Sequence, residues 1–454
     1  MEITMLRLVF LFSFFTTIPR LWANIVEFDD FWKQREEEAW KIALASYEPN
    51  PENVTNHLNY KVNKALNKRS SNKIIEFKGV ITNDTIRYLR GKHKKYIGPC
   101  MATNPIDRCW RCRENWAENR KRLALCGLGF GRKATGGDEG DYYLVTDNSD
   151  DDVLEPKPGT LRHAVIQNKP LWIIFAKDMH IKLSKELIVQ SNKTIDGRGA
   201  NVHIAHGCGI TLQFVHNIII HNIHIHHVIE SQGGLIRDSE DHYGYRTIGD
   251  GDGISIFGSS NIWLDHISMS ECQDGLIDVI QGSTAITISN CHFTHHDHVI
   301  LLGASDTYSN DQYMQVTIAF NHFGKELIQR MPRCRWGFFH VVNNDYTHWK
   351  MYAIGGSTHP TIISEGNRYI APDDPNTKEI TNRNYAPESE WKNWVWRSEG
   401  DLYMNGAFFR TSGPPSPPNL NFSEKDVIKA KPATFVRRLT RFAGTLDCKE
   451  YVKC

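Results

Sequence analysis

Between residues 192 and 369, short runs rich in isoleucine, valine and threonine each meet an asparagine or aspartate. They are NKTIDGRG (Asp196), NIIIHNIHI (Asn222), NIWLDHISM (Asp265), AITISNCHF (Asn290), VTIAFNHF (Asn321), FHVVNNDY (Asn344) and TIISEGNRY (Asn367). Successive separations are 26, 43, 25, 31, 23 and 23 residues. A recurring unit of 23 to 26 residues with two longer gaps marks a stacked architecture. Each unit is too short for a strand–helix–strand crossover with a full helix. Coils of a parallel β-helix fit. Each coil buries its Ile and Val, and the recurring Asn stacks at one turn and satisfies backbone groups of adjacent coils. A β-sandwich predicts shorter, hairpin-linked strands and no recurring Asn. The expected fold is therefore all-β, a parallel β-helix.

The two longer gaps become loops on one face, where binding sites tend to sit. One contains GDGDG and the other GASDTYSNDQYM. In the first, Asp250 and Asp252 lie between glycines, which leaves the carboxylates free to approach a cation. An EF-hand does not fit, because position +4 from Asp250 is Ile254 and +11 is Asn261 rather than Glu. A calcium-binding nonapeptide array fails because there is one copy. Taken alone, such a stretch is an ordinary turn. One coil later, ECQDGLIDVIQG carries Asp274 and Asp278, and Asp274 follows Asp250 by 24 residues. Stacking brings these carboxylates together. Clustered acids repel unless neutralised, so a hard cation such as Ca²⁺ is the natural occupant.

Further on, LIQRMPRCRWGFFH crowds Arg330, Arg333 and Arg335 around Pro332. A nucleic-acid patch, a solvated turn and a site for an acidic substrate all fit that stretch by itself. The chain has 53 Lys+Arg and 52 Asp+Glu, so it exerts no global attraction on nucleic acid or anionic membrane. Arg330 and Arg335 follow Asp278 by 52 and 57 residues, about two coils. A cation site beside arginines in one groove suits a polymer with repeated carboxylates, one bridged by metal and another gripped by guanidinium. Arg333 is expected to face solvent. The runs HNIHIHH (His221, His224, His226, His227) and HFTHHDH (His292, His295, His296, His298) lack a helical HExxH arrangement, which favours structural or groove-lining roles over zinc. CGLGFGRK has Arg132 where a dinucleotide loop needs its last glycine.

The ends of the chain read differently. MEITMLRLVFLFSFFTTIPRLWAN has a basic Arg7, an apolar stretch from Leu8 to Phe15 and a small Ala23. That stretch is too short to span a bilayer, so residues 1–23 are expected to be a signal peptide and the mature protein to be exported. Residues 24–90 are expected to form a small helical module with a linker. Phe28, Phe31, Trp32, Ala39, Ile42 and Ala43 recur at helical spacing, two prolines then break the helix, and LNKRSSNK is taken as linker or loop. Residues 91–454 form the β-helix with a C-terminal tail. Ten cysteines in an exported chain permit disulfides. CWRC (Cys109, Cys112) has no second CxxC, which disfavours zinc or redox use. Sequons at Asn53, Asn83, Asn192 and Asn421 are glycosylation candidates.

These stretches together resemble the plant pectate lyases, secreted calcium-dependent lyases. NPIDRCWRC, KPGTLRHAVIQ, PLWIIF, KTIDGRG and the long segments GSSNIWLDHISMSECQDGLIDVIQGSTAITISNCHFTHH and LIQRMPRCRWGFFHVVNNDYTHWKMYAIGG look like that family, from about residue 100 to the C-terminus. WxDH (Trp263 to His266), DGLID and RxPxxR occur in the family's order and spacing. The N-terminal module resembles the extra domain of flower- and pollen-type members. The resemblance implies a right-handed parallel β-helix that acts in the cell wall as a monomer on polygalacturonate. It implies Asp250, Asp274 and Asp278 as Ca²⁺ ligands, Asp252 as a fourth, Arg330 as the catalytic base and Arg335 as a substrate-carboxylate contact. It also implies disulfides Cys109–Cys126, Cys272–Cys291 and Cys448–Cys454. Two positions depart from the pattern. His298 stands where many members have a substrate-binding lysine, and Ala304 where plant members usually have histidine. The implied reaction is β-elimination on α-1,4-linked galacturonate. Its rivals are a polygalacturonase-type hydrolase and a non-catalytic pectate-binding wall protein.

Overall fold

The computed structural model describes residues 29–76, 100–414 and 429–454. The expected signal peptide, Asn83, Asn421 and the module boundary near residue 90 lie outside them. From Asp141 to Met404 the chain winds through three parallel sheets of ten, eight and nine strands. Each coil but the first and last contributes a strand to each sheet and pairs in register with the next. Ile173, Ile195, Ile220, Leu264, Ile288, Ile318 and Val341 thus form one inward column of the ten-stranded sheet. All seven are fully buried, and each contributes about 1.5–3 kcal/mol of burial. In the nine-stranded sheet the interior column is aromatic. Phe293, Phe323, Tyr346 and Tyr369 stack with ring centroids 5.2, 4.5 and 4.5 Å apart.

The chain turns between sheets at residues with positive φ. Asn222, His266, Asn290, Phe320, Asn343 and Gly366 occupy one such corner, just after strands of the ten-stranded sheet, with φ of 52 to 61°. Asparagine tolerates this left-handed conformation better than most residues. The recurring Asn/Asp therefore does not form one stacked row, as the periodicity suggested. Asn222 and Asn290 sit at the corner itself. Asp196 and Asp265 end their strands, where Asp196 pairs with Arg198 (2.7 Å) and Asp265 meets the His221 ring (2.9 Å). Only Asn321, Asn344 and Asn367 stack as a ladder. Asn321 Nδ2 donates to Asn344 Oδ1 (3.0 Å), Asn344 Nδ2 to Asn367 Oδ1 (3.0 Å), and Asn367 Nδ2 to Asp401 Oδ1 (3.2 Å). Replacing Asn344 by Ala removes the acceptor of the buried Asn321 N–H (2.9 Å) and the donor to the Ile318 carbonyl (2.8 Å). It is expected to lower the free energy of unfolding by about 2 kcal/mol, measured by denaturant titration.

Helix α1 spans Asp30–Ser46 and helix α2 spans Pro51–Glu76. LNKRSSNK lies inside α2 rather than in a linker. Pro51 opens that helix, where its missing N–H costs nothing. Val54, Leu58, Val62 and Leu66 form its buried stripe, and the last three share a core with Trp172, Trp263 and Val342 on the outer side of the ten-stranded sheet. Helix α1 buries Trp32 and Ala39 beside Ile188, Phe214 and Ile236.

Residues 102–116 and 438–454 meet over that same outer side. Asn104 Nδ2 donates to Leu439 O (3.2 Å) and to Asn290 Oδ1 (2.9 Å), and Arg111 to Cys454 O (3.0 Å). His266 bridges Asp107 Oδ1 (2.7 Å) and the carbonyl of Gly444 (2.8 Å). Burial alone would raise the Asp107 carboxyl, but His266 and Arg111 outweigh it and hold it down at about 2. The WxDH segment is thus structural here. Trp263 Nε1 donates to Ser289 Oγ (2.9 Å) and Asp265 pairs with His221 (2.9 Å).

Cys109–Cys126 and Cys448–Cys454 are bonded as the resemblance implied, and Cys100–Cys112 forms a further bond. The two cysteines of CWRC therefore belong to different disulfides. Cys272 and Cys291 are both free, with Cys208 and Cys334. Their coils pair Ser268 with His292, a separation of 24 residues. Cys272 and Cys291 are 19 apart and cannot lie opposite one another. Thiol titration of the denatured, unreduced protein is expected to find four reactive thiols; two would restore the Cys272–Cys291 bond.

Candidate active site

Consecutive turns leading into the eight-stranded sheet lie side by side. Asp250 and Asp252 precede strand Ile254–Phe257, and Asp274 precedes strand Ile277–Ile280, which contains Asp278. His298 precedes strand Ile300–Leu302, and Arg330 precedes strand Arg333–Arg335. The register Ser255, Asp278, Leu301, Arg333 fixes the order of these coils. Backbone bonds tie the turns together, from Leu276 N to His298 O (3.1 Å) and from Ile300 N to Arg330 O (2.7 Å).

The acids converge as the 24-residue spacing suggested. Asp250, Asp252 and Asp274 each bring a carboxylate oxygen within 4.8 Å of the others. Asp252 accepts from Ser255 Oγ (2.9 Å) and Gly275 N (2.8 Å). A Cβ on Gly275 would lie 2.4 Å from Asp278 Oδ1 and 2.9 Å from Asp252 Oδ1, so only glycine fits between these carboxylates. Gly251, with φ +99°, lets the chain turn between Asp250 and Asp252. Burial, with Asp252, Asp274 and Asp250 nearby, holds the Asp278 carboxyl well above its ordinary range. Burial and Asp250 push Asp252 up to about 7. Burial and Asp274 raise Asp250. Asp274 is lowered, chiefly by its hydrogen bond with His298 (3.2 Å).

On the other side of the acids, Arg330 takes a left-handed corner at φ 62°, and its Nε is buried without a hydrogen-bond partner among the described residues. Its charge acts on both Asp274 and Asp278. Arg335 Nε donates to Asp306 Oδ1 (3.0 Å) and Nη1 to Gly303 O (2.8 Å). Arg333 does not face solvent. It is 7% exposed, with its guanidinium 4.2 Å from the centroid of the Tyr385 ring. His298 lies between Asp274 and Asp297, 3.8 Å from the latter.

Asp306, Asp297 and Asp311 escaped sequence reasoning. Asp306 also accepts from Ser357 (2.6 Å), and Asp311 accepts from the backbone of Ala304 (2.7 Å) and Gly282 (2.7 Å). Asp306 and Asp311 lie in the GASDTYSNDQYM loop, whose length and two acids were the available signal. Asn53 is exposed, while Asn192 is half-buried and accepts from Asn217 (2.8 Å).

Family models for "Pectate lyase" and "Pectate lyase, N terminus" match residues 175–388 and 24–89. A pectate lyase from Lilium longiflorum is 60% identical, with 98% of this chain and 99% of the relative covered. The chain belongs to the pectate lyase family. A probable pectate lyase from Arabidopsis thaliana is 54% identical over 99% of this chain and 98% of its own length. Among solved structures, jun a 1, the major allergen from cedar pollen, is 46% identical with a TM-score of 0.72 and covers 76% of this chain and 99% of its own. A pectate lyase from Bacillus sp. N165 in complex with trigalacturonate is 21% identical with a TM-score of 0.53, over 70% of this chain and 98% of its own, and shares the fold. The family likeness extends through the helical region, since the N-terminal pectate lyase model covers both α1 and α2.

Proposed function

We propose that this pectate lyase cleaves α-1,4-linked galacturonan by Ca²⁺-dependent β-elimination. Asp250, Asp252, Asp274 and Asp278 serve as ion ligands, Arg330 as the base, and Arg335 and His298 as substrate-carboxylate contacts. The observation that carries this reading is a crowded carboxylate cluster facing a guanidinium whose Nε has no partner. The donor set fits the ion: carboxylate oxygens suit a hard cation, and Gly275 keeps a side chain out of the space between them. Burial and mutual repulsion raise the carboxyls of Asp250, Asp252 and Asp278, and a bound cation would relieve that repulsion.

Elimination begins with loss of the proton on C5, which lies α to the uronate carboxylate. That proton is weakly acidic because the carboxylate resists further negative charge. Bound Ca²⁺ supplies Lewis-acid stabilisation of the charge that develops there. Neutral Arg330 takes the proton as the C5–H bond breaks, the C4=C5 double bond forms and the C4–O bond breaks; the leaving oxygen takes a proton from water, and the hydroxide so formed returns Arg330 to its neutral form. A guanidinium is ordinarily too basic for this task. The task falls to the minor neutral form of the guanidinium, so turnover is expected to increase towards alkaline pH. Arg335 offers a carboxylate-binding fork, and substrate must compete with Asp306 for it. We further propose secretion to the cell wall, where such a substrate resides. No helix among the described residues is long and apolar enough to cross a membrane.

An ultraviolet assay on polygalacturonate, with Ca²⁺ and with chelator, tests the proposal. Unsaturated product is expected with the ion alone. Reducing ends without the absorbing double bond would overturn it in favour of hydrolysis, for which the raised carboxyl of Asp252 is the one suggestive feature. Binding without any cleavage would mark a non-catalytic wall protein. His298→Lys places an ammonium group where the imidazole stands, and is expected to lower KM about threefold at alkaline pH, as steady-state kinetics would show.

A further inference from the structure

One histidine cluster lies outside the acidic site. His206, His227 and Glu271 follow residues Ala205, His226 and Ser270, which pair with one another in the nine-stranded sheet. The three therefore hold the same corner on consecutive coils, with φ of 60, 52 and 54°. Histidine tolerates this conformation, which accounts for His206 and His227 singly. It does not account for the convergence of their rings with His226, which projects from the adjoining strand. His206, His226 and His227 each place a ring nitrogen within 4.8 Å of the others.

We propose that His206, His226 and His227 form a binding site for a borderline transition-metal ion, Zn²⁺ or Cu²⁺. His226 Nδ1 lies 2.9 Å from His227 Nδ1, so the two rings turn a nitrogen towards one another. His203 Nδ1 engages the opposite nitrogen of His226 at 2.9 Å, and Asn201 Oδ1 lies 3.1 Å from the far nitrogen of His203. This relay orients the His226 ring in the way that outer partners orient metal-bound imidazoles. Glu271 Oε2 lies 3.4 Å from His227 Nε2 and adds negative charge. His206, His227 and Glu271 are exposed, so an ion has open access.

The donor chemistry separates this site from the acidic one. Imidazole nitrogens select Zn²⁺ or Cu²⁺, whereas a carboxylate cluster selects Ca²⁺. Protons compete with metal for imidazole, so binding weakens at acidic pH. The proposal is independent of the lyase assignment.

Isothermal titration of the full chain with ZnCl₂ under saturating Ca²⁺, at about pH 7.5, tests it. One ion is expected to bind, and His206→Ala with His227→Ala to weaken it at least about tenfold. Glu271→Gln is expected to weaken it less. His292→Ala with His322→Ala, a neighbouring pair with ring centroids 4.9 Å apart, should leave affinity unchanged. Retained elimination activity in the variants establishes that they fold. Equal Zn²⁺ affinity in wild type and the His206/His227 double variant would overturn the proposal, as would displacement of Zn²⁺ by Ca²⁺.

Discussion

Arg330→Ala is expected to lower the rate of unsaturated-product formation by about 10² to 10⁴, the span associated with loss of a positioned base. Calcium affinity should stay within a few-fold of wild type, because Arg330 supplies no oxygen donor. A slight increase is expected, since the variant removes a positive charge that acts on Asp274 and Asp278. Arg330→Lys discriminates further. A lysine ordinarily titrates at about 10.4, well below arginine, so a lysine acting as base should recover part of the rate with its own pH profile. If Arg330→Ala turns over at the wild-type rate, Arg330 is not the base, whatever it does for binding. Arg333→Ala is a contrasting case. Arg333 packs over Tyr385 and is 7% exposed, so it should lose stability, measured by thermal unfolding, more than turnover.

Chelation is expected to have the second large effect. Activity should fall to background and recover on adding Ca²⁺. Stability should change in a pH-dependent way. Asp252 is held up at about 7 by burial and Asp250, and Asp250 and Asp278 move in the same direction. A carboxyl raised in this way binds its proton more tightly folded than unfolded, so the proton stabilises the native state. That contribution is complete below about pH 4, the ordinary carboxylate range. It declines as pH rises and is lost once Asp252 ionises near 7. Asp274 is lowered and opposes the trend weakly. The chelated protein should therefore lose denaturant resistance between about pH 4 and 7, and saturating Ca²⁺ should abolish that loss. Calcium binding near pH 6 should also release protons, seen as a buffer-dependent heat of binding. An unfolding midpoint insensitive to both Ca²⁺ and pH would remove the cluster from consideration as the ion site.

Much of this site was legible because a coil has nearly constant length. Asp250 and Asp274 are one coil apart, and that arithmetic alone placed two carboxylates side by side. The same arithmetic placed Arg330 two coils past Asp278. What escaped depends on offsets of one or a few residues within a coil. Asp265 ends a strand while Asn290 lies one residue beyond its paired strand, so two letters of one apparent repeat occupy different columns. Cys272 and Cys291 fail for the same reason. The partner of Arg335 was hidden because Asp306 lies in a loop that obeys no period. Helix α2 was missed because Pro51 reads as a breaker, although it starts the helix, and because LNKRSSNK is polar without being loop.

The meeting of residues 102–116 with residues 438–454 has a mechanical consequence. In a solenoid each unit touches only its neighbours, so unfolding can fray inward from either end. Here a buckle crosses the side of the stack. Asp107 from one end and Gly444 from the other grip His266 in the middle coils. An outer coil cannot peel far before the buckle is pulled, and opening the buckle exposes the buried charge of Asp107. The coils that carry the acids and Arg330 are thereby bound into a single cooperative unit, and the spacing of the site is protected from breathing at the ends.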